Sequence, residues 1–165
     1  MEYRIVHKNE FYIIGFKKRI TLQFKGENHQ IDSLYERLTE DKKEKLMKVN
    51  DTEPKGLISV SADFSERTKE GSFLDQYLAV ASTHDEADDE FDVLFVPSSD
   101  WAVFTSSGSY PDALQNTWAK IYSEWLGSSD YELRGGPEIL RSGSQDTKDK
   151  DFNSEIWIPV KKKRE

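Results

Sequence analysis

The alternation of apolar and polar positions predicts a chain of short strands interrupted by two helices. Helices are predicted over 28–47 and 109–126, where apolar side chains recur at helical spacing and Gly127 follows the second run. The segment 131–141 has no single period, and we predict one short strand near 138–141. The other predicted strands, rich in β-branched and aromatic residues, are 2–7, 11–20, 57–63, 73–83, 91–97, 101–107 and 154–161.

The order of these elements repeats along the chain. A strand, a helix and two strands occupy residues 11–83, and the same order returns over 101–161. Neither half alone could cover one face of its sheet. We therefore predict an α+β fold, in which two strand-helix-strand-strand units pack as one pseudo-twofold domain with an antiparallel sheet.

Composition narrows the function classes. With 23 Lys and Arg against 31 Asp and Glu, the net charge of −8 disfavours a nucleic-acid surface. The absence of cysteine excludes a disulfide scaffold and cysteine-ligated zinc, and His7, His29 and His84 lack metal-ligand spacing, so we expect no metal or cofactor. The N-terminal residues form no apolar leader or membrane span, which favours a cytoplasmic protein.

The last predicted strand carries the most informative pattern. Ile156, Ile158 and Val160 alternate onto one apolar face, whereas Glu155 and Trp157 share the opposite face. A carboxylate beside an indole suits a flat, positively charged ligand, because the ring stacks the ligand and the acid attracts its charge. The alternative is a half-exposed Glu155 at a sheet edge, paired with a lysine.

Four segments carry a further pattern: Trp101–Phe104 with Gly108, the helix end around Trp118, Tyr122 and Trp125, Tyr131 to Glu138, and Glu155–Val160. Together they resemble the GyrI-like small-molecule-binding domain, also called the AraC-type effector-binding domain. The C-terminal half is the specific part of the resemblance, which covers residues 1–161 and leaves 162–165 as a basic tail. The family's regulators carry a DNA-binding region before this domain, and we expect none here because the resemblance starts at residue 1.

The resemblance implies a ligand cleft on the sheet face opposite the helices, between the two halves. Family members bind lipophilic, often cationic or polycyclic aromatic compounds there, against aromatic walls and an acidic residue on the final strand. By motif position that residue is Glu155. We expect Trp157 beside it, with Tyr77 and Tyr110 as further lining residues, while Trp101 could equally line the cleft or belong to the core.

Two other functions stay open. Some stand-alone relatives resemble hydrolases that open the cyclopropane ring of DNA-alkylating natural products, which would make the protein a detoxifying enzyme. In that hypothesis Glu155 activates water and Tyr110 or Tyr77 polarises the substrate carbonyl. The third hypothesis is a module that inhibits a protein partner through its acidic surface.

Two further positions have alternative interpretations. Glu138 matches a recurrent acidic position of the family, but it could equally be a structural partner of Arg134 or Arg141. Trp118 and Tyr122 lie on the apolar stripe of the second helix, and this pattern favours core packing for both.

Overall fold

The computed structural model describes residues 2–24, 26–109, 111–142 and 153–164. Within them, nine strands form one antiparallel sheet. The strands are β1 (Tyr3–Lys8), β2 (Phe11–Thr21), β3 (Ile58–Ala62), β4 (Phe73–Ser82), β5 (Asp92–Val96), β6 (Ser99–Ser107), β7 (Tyr131–Leu133), β8 (Glu138–Ser142) and β9 (Asn153–Lys162). The α+β prediction is confirmed.

The helices differ in detail from those predicted. They are α1 (Asp32–Arg37), preceded by a 3-10 turn at His29–Ile31, α2 (Glu40–Val49) and α3 (Asp112–Lys120), which continues through a π-helical turn at Ile121–Trp125 and a last turn at Leu126–Ser128. The prediction of one helix over 28–47 is wrong, because Leu38 leaves the helical conformation and Thr39 begins a second helix. The Thr39 side chain accepts a hydrogen bond from the Lys42 amide at 3.3 Å.

The strand order has the internal symmetry that the repeat predicts. It runs β1-β6-β9-β8-β3-β4-β2-β5, with β7 paired to the end of β9. The two halves therefore meet at the β3–β8 pair, where Ser61 lies opposite Glu138. The two outer strands cross over between halves: β1 precedes β2 in the chain but pairs with β6, and β5 precedes β6 but pairs with β2.

One face of the sheet carries the helices of the described residues, and we call it the helix face. Leu34 of α1 and Leu46 of α2 pack there on β2 and β4, while Ile121 and Trp125 pack on β6 and β9. The opposite face, called the inner face, has no helix over it within the described residues. Its side chains are nevertheless buried and form one interior cluster that draws on strands from both halves of the sheet.

The sheet covers its own inner face by curling. The rings of Phe11 on β2 and Trp101 on β6 lie 6.1 Å apart, although five strand positions separate β2 from β6 in the sheet order. In a flat sheet these strands would be about 24 Å apart. The interior cluster is therefore enclosed between the two ends of the sheet, and Val6 of β1 and Leu94 of β5 pack against it.

Pro159 explains an interruption opposite β9. Proline has no N–H to donate to a neighbouring strand. Opposite it, β7 and β8 are separated by residues 134–137, in which Gly135 and Gly136 have positive φ angles of 86° and 122°. The Arg134 amide still donates to the Pro159 carbonyl at 3.1 Å. This interruption ends immediately before Glu138. At the chain's end, β9 extends to Lys162, one residue into the predicted tail.

Candidate functional site

A buried carboxylate lies at the junction of the two halves. Glu138 is the first residue of β8 and is only 3% exposed. Its strand neighbour Ile139 belongs to the interior cluster, so alternation directs Glu138 to the helix face. Burying a carboxylate is costly unless charged or hydrogen-bonding groups surround it, so the partners of Glu138 determine what this position can do.

Three donors from two separate segments hold this carboxylate. Trp118 Nε1 donates to Glu138 Oε1 at 2.8 Å, and the Tyr122 hydroxyl donates to Oε2 at 2.7 Å. Both come from the second helical segment, Trp118 from α3 and Tyr122 from the π-helical turn that follows it. The Arg67 guanidinium, from the connection between β3 and β4, forms an ion pair with Oε2 and donates to the Gly136 carbonyl at 2.7 Å.

The immediate surroundings are aromatic and cationic. Arg67 lies over the Phe64 ring, with 4.3 Å between the guanidinium carbon and the ring centroid. Burial, followed by the negative charge of Glu138, raises the pKa of Tyr122, so its hydroxyl keeps its proton and acts as a donor. We call Glu138, Trp118, Tyr122, Arg67 and Phe64 the Glu138 site.

The loop before α1 also contacts α3 near this site. The Gln115 amide, one turn before Trp118, donates to the Gly26 carbonyl at 2.8 Å and accepts from the Gly26 amide at 3.2 Å. The loop before α1 therefore reaches α3 on the helix face, above the central strands of the sheet. The helix face of β3, between α1–α2 and α3, is polar. Ser59 and Ser61 are half-buried there, and the Ser61 hydroxyl donates to Gln76 at 2.9 Å.

Glu155 has a different environment, on the inner face near the start of β9. Its side chain is 22% exposed and forms ion pairs with Arg4 at 3.1 Å and Arg141 at 3.3 Å, and Trp157 Nε1 donates to it at 3.4 Å. An open groove of about 430 Å³ adjoins this cluster; it is lined by Glu2, Tyr3, Arg4, Val103 and Thr105. These pairs favour the second interpretation of Glu155, a partly exposed carboxylate in an ion pair, with two arginines in place of the expected lysine. Its role in ligand binding stays a prediction.

The Glu155 cluster predicts a pH effect on stability. Burial alone would raise the pKa of Glu155, but hydrogen bonds from Arg4 and Trp157 and the charges of Arg4 and Arg141 lower it overall. A carboxyl whose pKa is lowered by folding stabilises the fold above its unfolded pKa of about 4.3 and loses this contribution as pH falls through the folded value.

We therefore expect Glu155→Gln to be less stable than the wild type at neutral pH, by less than about 1 kcal/mol because the group is partly exposed. The gap should close as the pH falls to about 3. Urea midpoints of both proteins across this range measure the effect. A gap that stays constant over the range would contradict the ion-pair assignment.

The comparison with known protein families identifies the fold. The model of the GyrI-like small molecule binding domain matches residues 1–161. The chain belongs to the GyrI-like family. No curated protein sequence matches this GyrI-like domain significantly.

Solved structures share the fold of the GyrI-like domain. SAV2435, solved bound to tetraphenylphosphonium, is 22% identical with a TM-score of 0.73, over 98% of this chain and 94% of that one. The C-terminal domain of EcmrR is 18% identical with a TM-score of 0.61, over 98% of each chain. A hydrolase from Listeria innocua is 11% identical with a TM-score of 0.54, over 97% of this chain and 92% of that one. These similarities establish the fold.

The middle of the inner face of the GyrI-like domain is filled by side chains, whereas the groove beside Glu155 on the same face is open. Trp101 is fully buried, Tyr77 and Trp157 are each 3% exposed, and all three belong to the interior cluster. The Trp101 and Trp157 rings lie 6.2 Å apart in an edge-on arrangement. For Trp101, which the sequence left open between cleft and core, the structure favours the core. The binding roles of Tyr77 and Trp157 stay predictions, and Tyr110 lies outside the described residues.

Glu138 was recognisable from the sequence, but neither arginine that the alternative interpretation gave it as a partner pairs with it among the described residues. Arg134 donates to the Ser98 carbonyl, and Arg141 pairs with Glu155 and donates to the Lys55 carbonyl at 3.0 Å. Arg67 and Phe64 were missed, because they lie in a polar connection with no periodic signal. Trp118 packs against the core as predicted and Tyr122 is partly buried, yet each also turns a polar atom toward Glu138. Their polar atoms, four residues apart on one helical stripe, were the available signal.

Two absences bear on the possible chemistry. Among the described residues, no group of three or more His, Asp or Glu side chains could hold a metal ion. In the same part of the chain, no helix combines the length and the apolar character that crossing a bilayer would require.

Proposed function

We propose that this GyrI-like protein binds lipophilic organic cations on the helix face, with Glu138 as the counter-ion. The observation that carries the proposal is the Glu138 carboxylate, which is 3% exposed and held by one guanidinium and two aromatic donors. A buried negative charge next to aromatic rings attracts a cation that is weakly hydrated, because such a cation loses little on leaving water. The tetraphenylphosphonium bound to SAV2435 belongs to this chemical class.

The proposal transfers the predicted acidic role from Glu155 to Glu138. Glu155 is balanced by two arginines, so a cationic ligand would meet a cluster that is already positive overall. Glu138 has a single charged partner among the described residues. Multidrug binding means that one site accepts several unrelated cations. The Glu138 site fits this type, because its aromatic side chains select little for shape and one carboxylate selects for positive charge.

Hydrolysis of cyclopropanoid compounds is the weaker of the two small-molecule functions on this geometry. A general base needs a carboxylate that is free to take a proton from water. Both candidate acids are bound by guanidinium groups, Glu138 by Arg67 and Glu155 by Arg4 and Arg141. Either carboxylate could accept a proton from water only by losing an ion pair. This cost favours ligand binding over hydrolysis as the function of the site.

Titration with tetraphenylphosphonium, followed by tryptophan fluorescence and calorimetry, tests the proposal. We expect Glu138→Gln to raise the dissociation constant at least about tenfold, since the amide keeps the size and an acceptor but removes the charge. Glu132→Gln is a matched control, because Glu132 forms a half-exposed pair with Lys161 at 3.7 Å and should change affinity less than about twofold.

Tetraphenylborate supplies the charge-reversed ligand of nearly the same shape. It should bind at least about a hundredfold more weakly than tetraphenylphosphonium to the wild type, because the carboxylate repels it. Equal binding of the two ions would overturn the proposal. A loss of affinity in Glu155→Gln, with Glu138→Gln unaffected, would return the ligand to the inner face.

A further inference from the structure

Arg67 occupies the place that a cationic ligand would need. Its guanidinium lies between the face of the Phe64 ring and the Glu138 carboxylate, which are the two groups that would recognise an aromatic cation. We propose that Arg67 is an internal substitute for the ligand, which fills the site in the free protein and leaves it when a cation binds. This inference rests on the proposed function and adds how the site is regulated and which cations it selects.

The position of Arg67 allows its side chain to move between the Glu138 carboxylate and solvent. Arg67 lies in the connection between β3 and β4, outside both strands, and its side chain is 19% exposed whereas that of Glu138 is 3% exposed. It therefore reaches the carboxylate from the solvent side and can return to water. Trp118 and Tyr122 lie instead on a helical segment packed against the sheet and have no such route.

The donors that remain define the ligand. Without Arg67, Glu138 Oε1 keeps the hydrogen bond from Trp118 and Oε2 keeps the one from Tyr122. The carboxylate would then lack positive charge but not hydrogen bonds. A cation without N–H groups, such as a quaternary ammonium or phosphonium ion with aryl groups, meets that need, and its aryl groups can occupy the face of Phe64 that Arg67 leaves.

The exchange also sets the affinity. A ligand must displace the Arg67 ion pair before it can approach Glu138, so part of its interaction with the carboxylate is offset by the contact that it breaks. Removing the Arg67 charge abolishes this competition and leaves a buried carboxylate without a counter-ion. Such a variant should bind cations more tightly than the wild type and should gain more stability on binding.

Arg67→Met tests the exchange, because methionine keeps an unbranched apolar stem and removes the charge. We expect tetraphenylphosphonium to bind Arg67→Met at least about tenfold more tightly than the wild type. Arg134→Met is the control, since Arg134 donates to the Ser98 carbonyl and pairs with no carboxylate of the described residues. The affinity of this variant should match that of the wild type. The double variant Arg67→Met with Glu138→Gln should lose the gain.

A measurement on the unmodified protein covers the case in which Arg67→Met does not fold. In protein labelled with ¹⁵N-arginine, the Arg67 guanidinium signals are identified by their absence in Arg67→Lys. Saturation with tetraphenylphosphonium should move these signals to the positions and fast solvent exchange of free arginine. Signals that stay protected in the complex, or weaker binding by Arg67→Met, would overturn the exchange while leaving cation binding intact. If Glu138→Gln binds as the wild type does, the proposed function itself is wrong.

Discussion

Replacement of Gly15 by alanine is expected to destabilise the domain by about 3 kcal/mol or more, a large effect for a single methyl group. Gly15 lies in β2 opposite Ala79 of β4. A Cβ atom on Gly15 would lie 2.2 Å from the Leu78 carbonyl oxygen and 2.7 Å from the Ala79 Cβ, well inside van der Waals contact. The obstacles are mainly backbone in the middle of the sheet, so they cannot rotate away.

Gly127→Ala is the matched control for this substitution. Gly127 lies in the last turn of the second helical segment. Apart from its chain neighbours and its own helix backbone, no atom of the described residues lies within 4 Å of a Cβ placed there. Alanine there should be neutral or stabilising by about 0.5–1 kcal/mol, because it reduces the freedom of the unfolded chain. Urea denaturation measures both variants. A Gly15→Ala protein within about 1 kcal/mol of the wild type would contradict the close approach of β2 and β4.

Trp101→Ala is expected to cost about 3–5 kcal/mol of stability and to leave tetraphenylphosphonium affinity almost unchanged in the folded fraction. Trp101 is fully buried against Phe11 and Trp157, where removal of the indole leaves a cavity. Its Nε1 is buried with no hydrogen-bond partner in the described structure. Trp101→Phe should therefore cost much less, about 1 kcal/mol, because it removes that unpaired donor together with some volume.

Stability and ligand affinity together show whether Trp101 belongs to the core or lines a ligand cleft. Urea midpoints report the stability of both variants, and a fluorescence-independent method such as calorimetry reports binding. If Trp101→Ala folds with nearly the wild-type stability but binds tetraphenylphosphonium at least about tenfold more weakly, Trp101 lines the ligand site and the inner face holds the cleft after all.

The local pattern of apolar and polar residues was sufficient to predict the longer strands and the repeat. Alternation assigns Ile156, Ile158 and Val160 to the helix face, and the structure places them there against the second helical segment. The break between α1 and α2 is hidden in the sequence pattern, because Leu38 and Leu46 continue the helical spacing across it. The capping signal at Thr39, followed by Glu40 and Asp41, was present but competed with that spacing. The three-residue β7 is too short for a period to be read.

The partners of the candidate site residues could not be predicted from local sequence patterns, because they lie far away in the chain. Alternation assigned Glu155 and Trp157 to a common face but could not reveal that the sheet closes over it. The guanidinium that pairs with Glu138 lies 71 residues away in the chain, and Arg4, which pairs with Glu155, lies 151 residues away from its partner. Such pairings depend on strand order and loop geometry. The acidic position itself was recognisable in Glu138, while its burial and its partners were not.

The crossover of β1 and β5 has a consequence for how such a molecule could arise. Each half borrows its outermost strand from the other half, so neither would have a complete set of strands if it were separated. A single ancestral copy with this arrangement would have needed a second copy of itself to exchange arms with, as swapped dimers do. Joining two such copies in one polypeptide makes the exchange intramolecular. It also allows the two sides of the central seam to diverge, so that Glu138 stands on one side and a serine on the other.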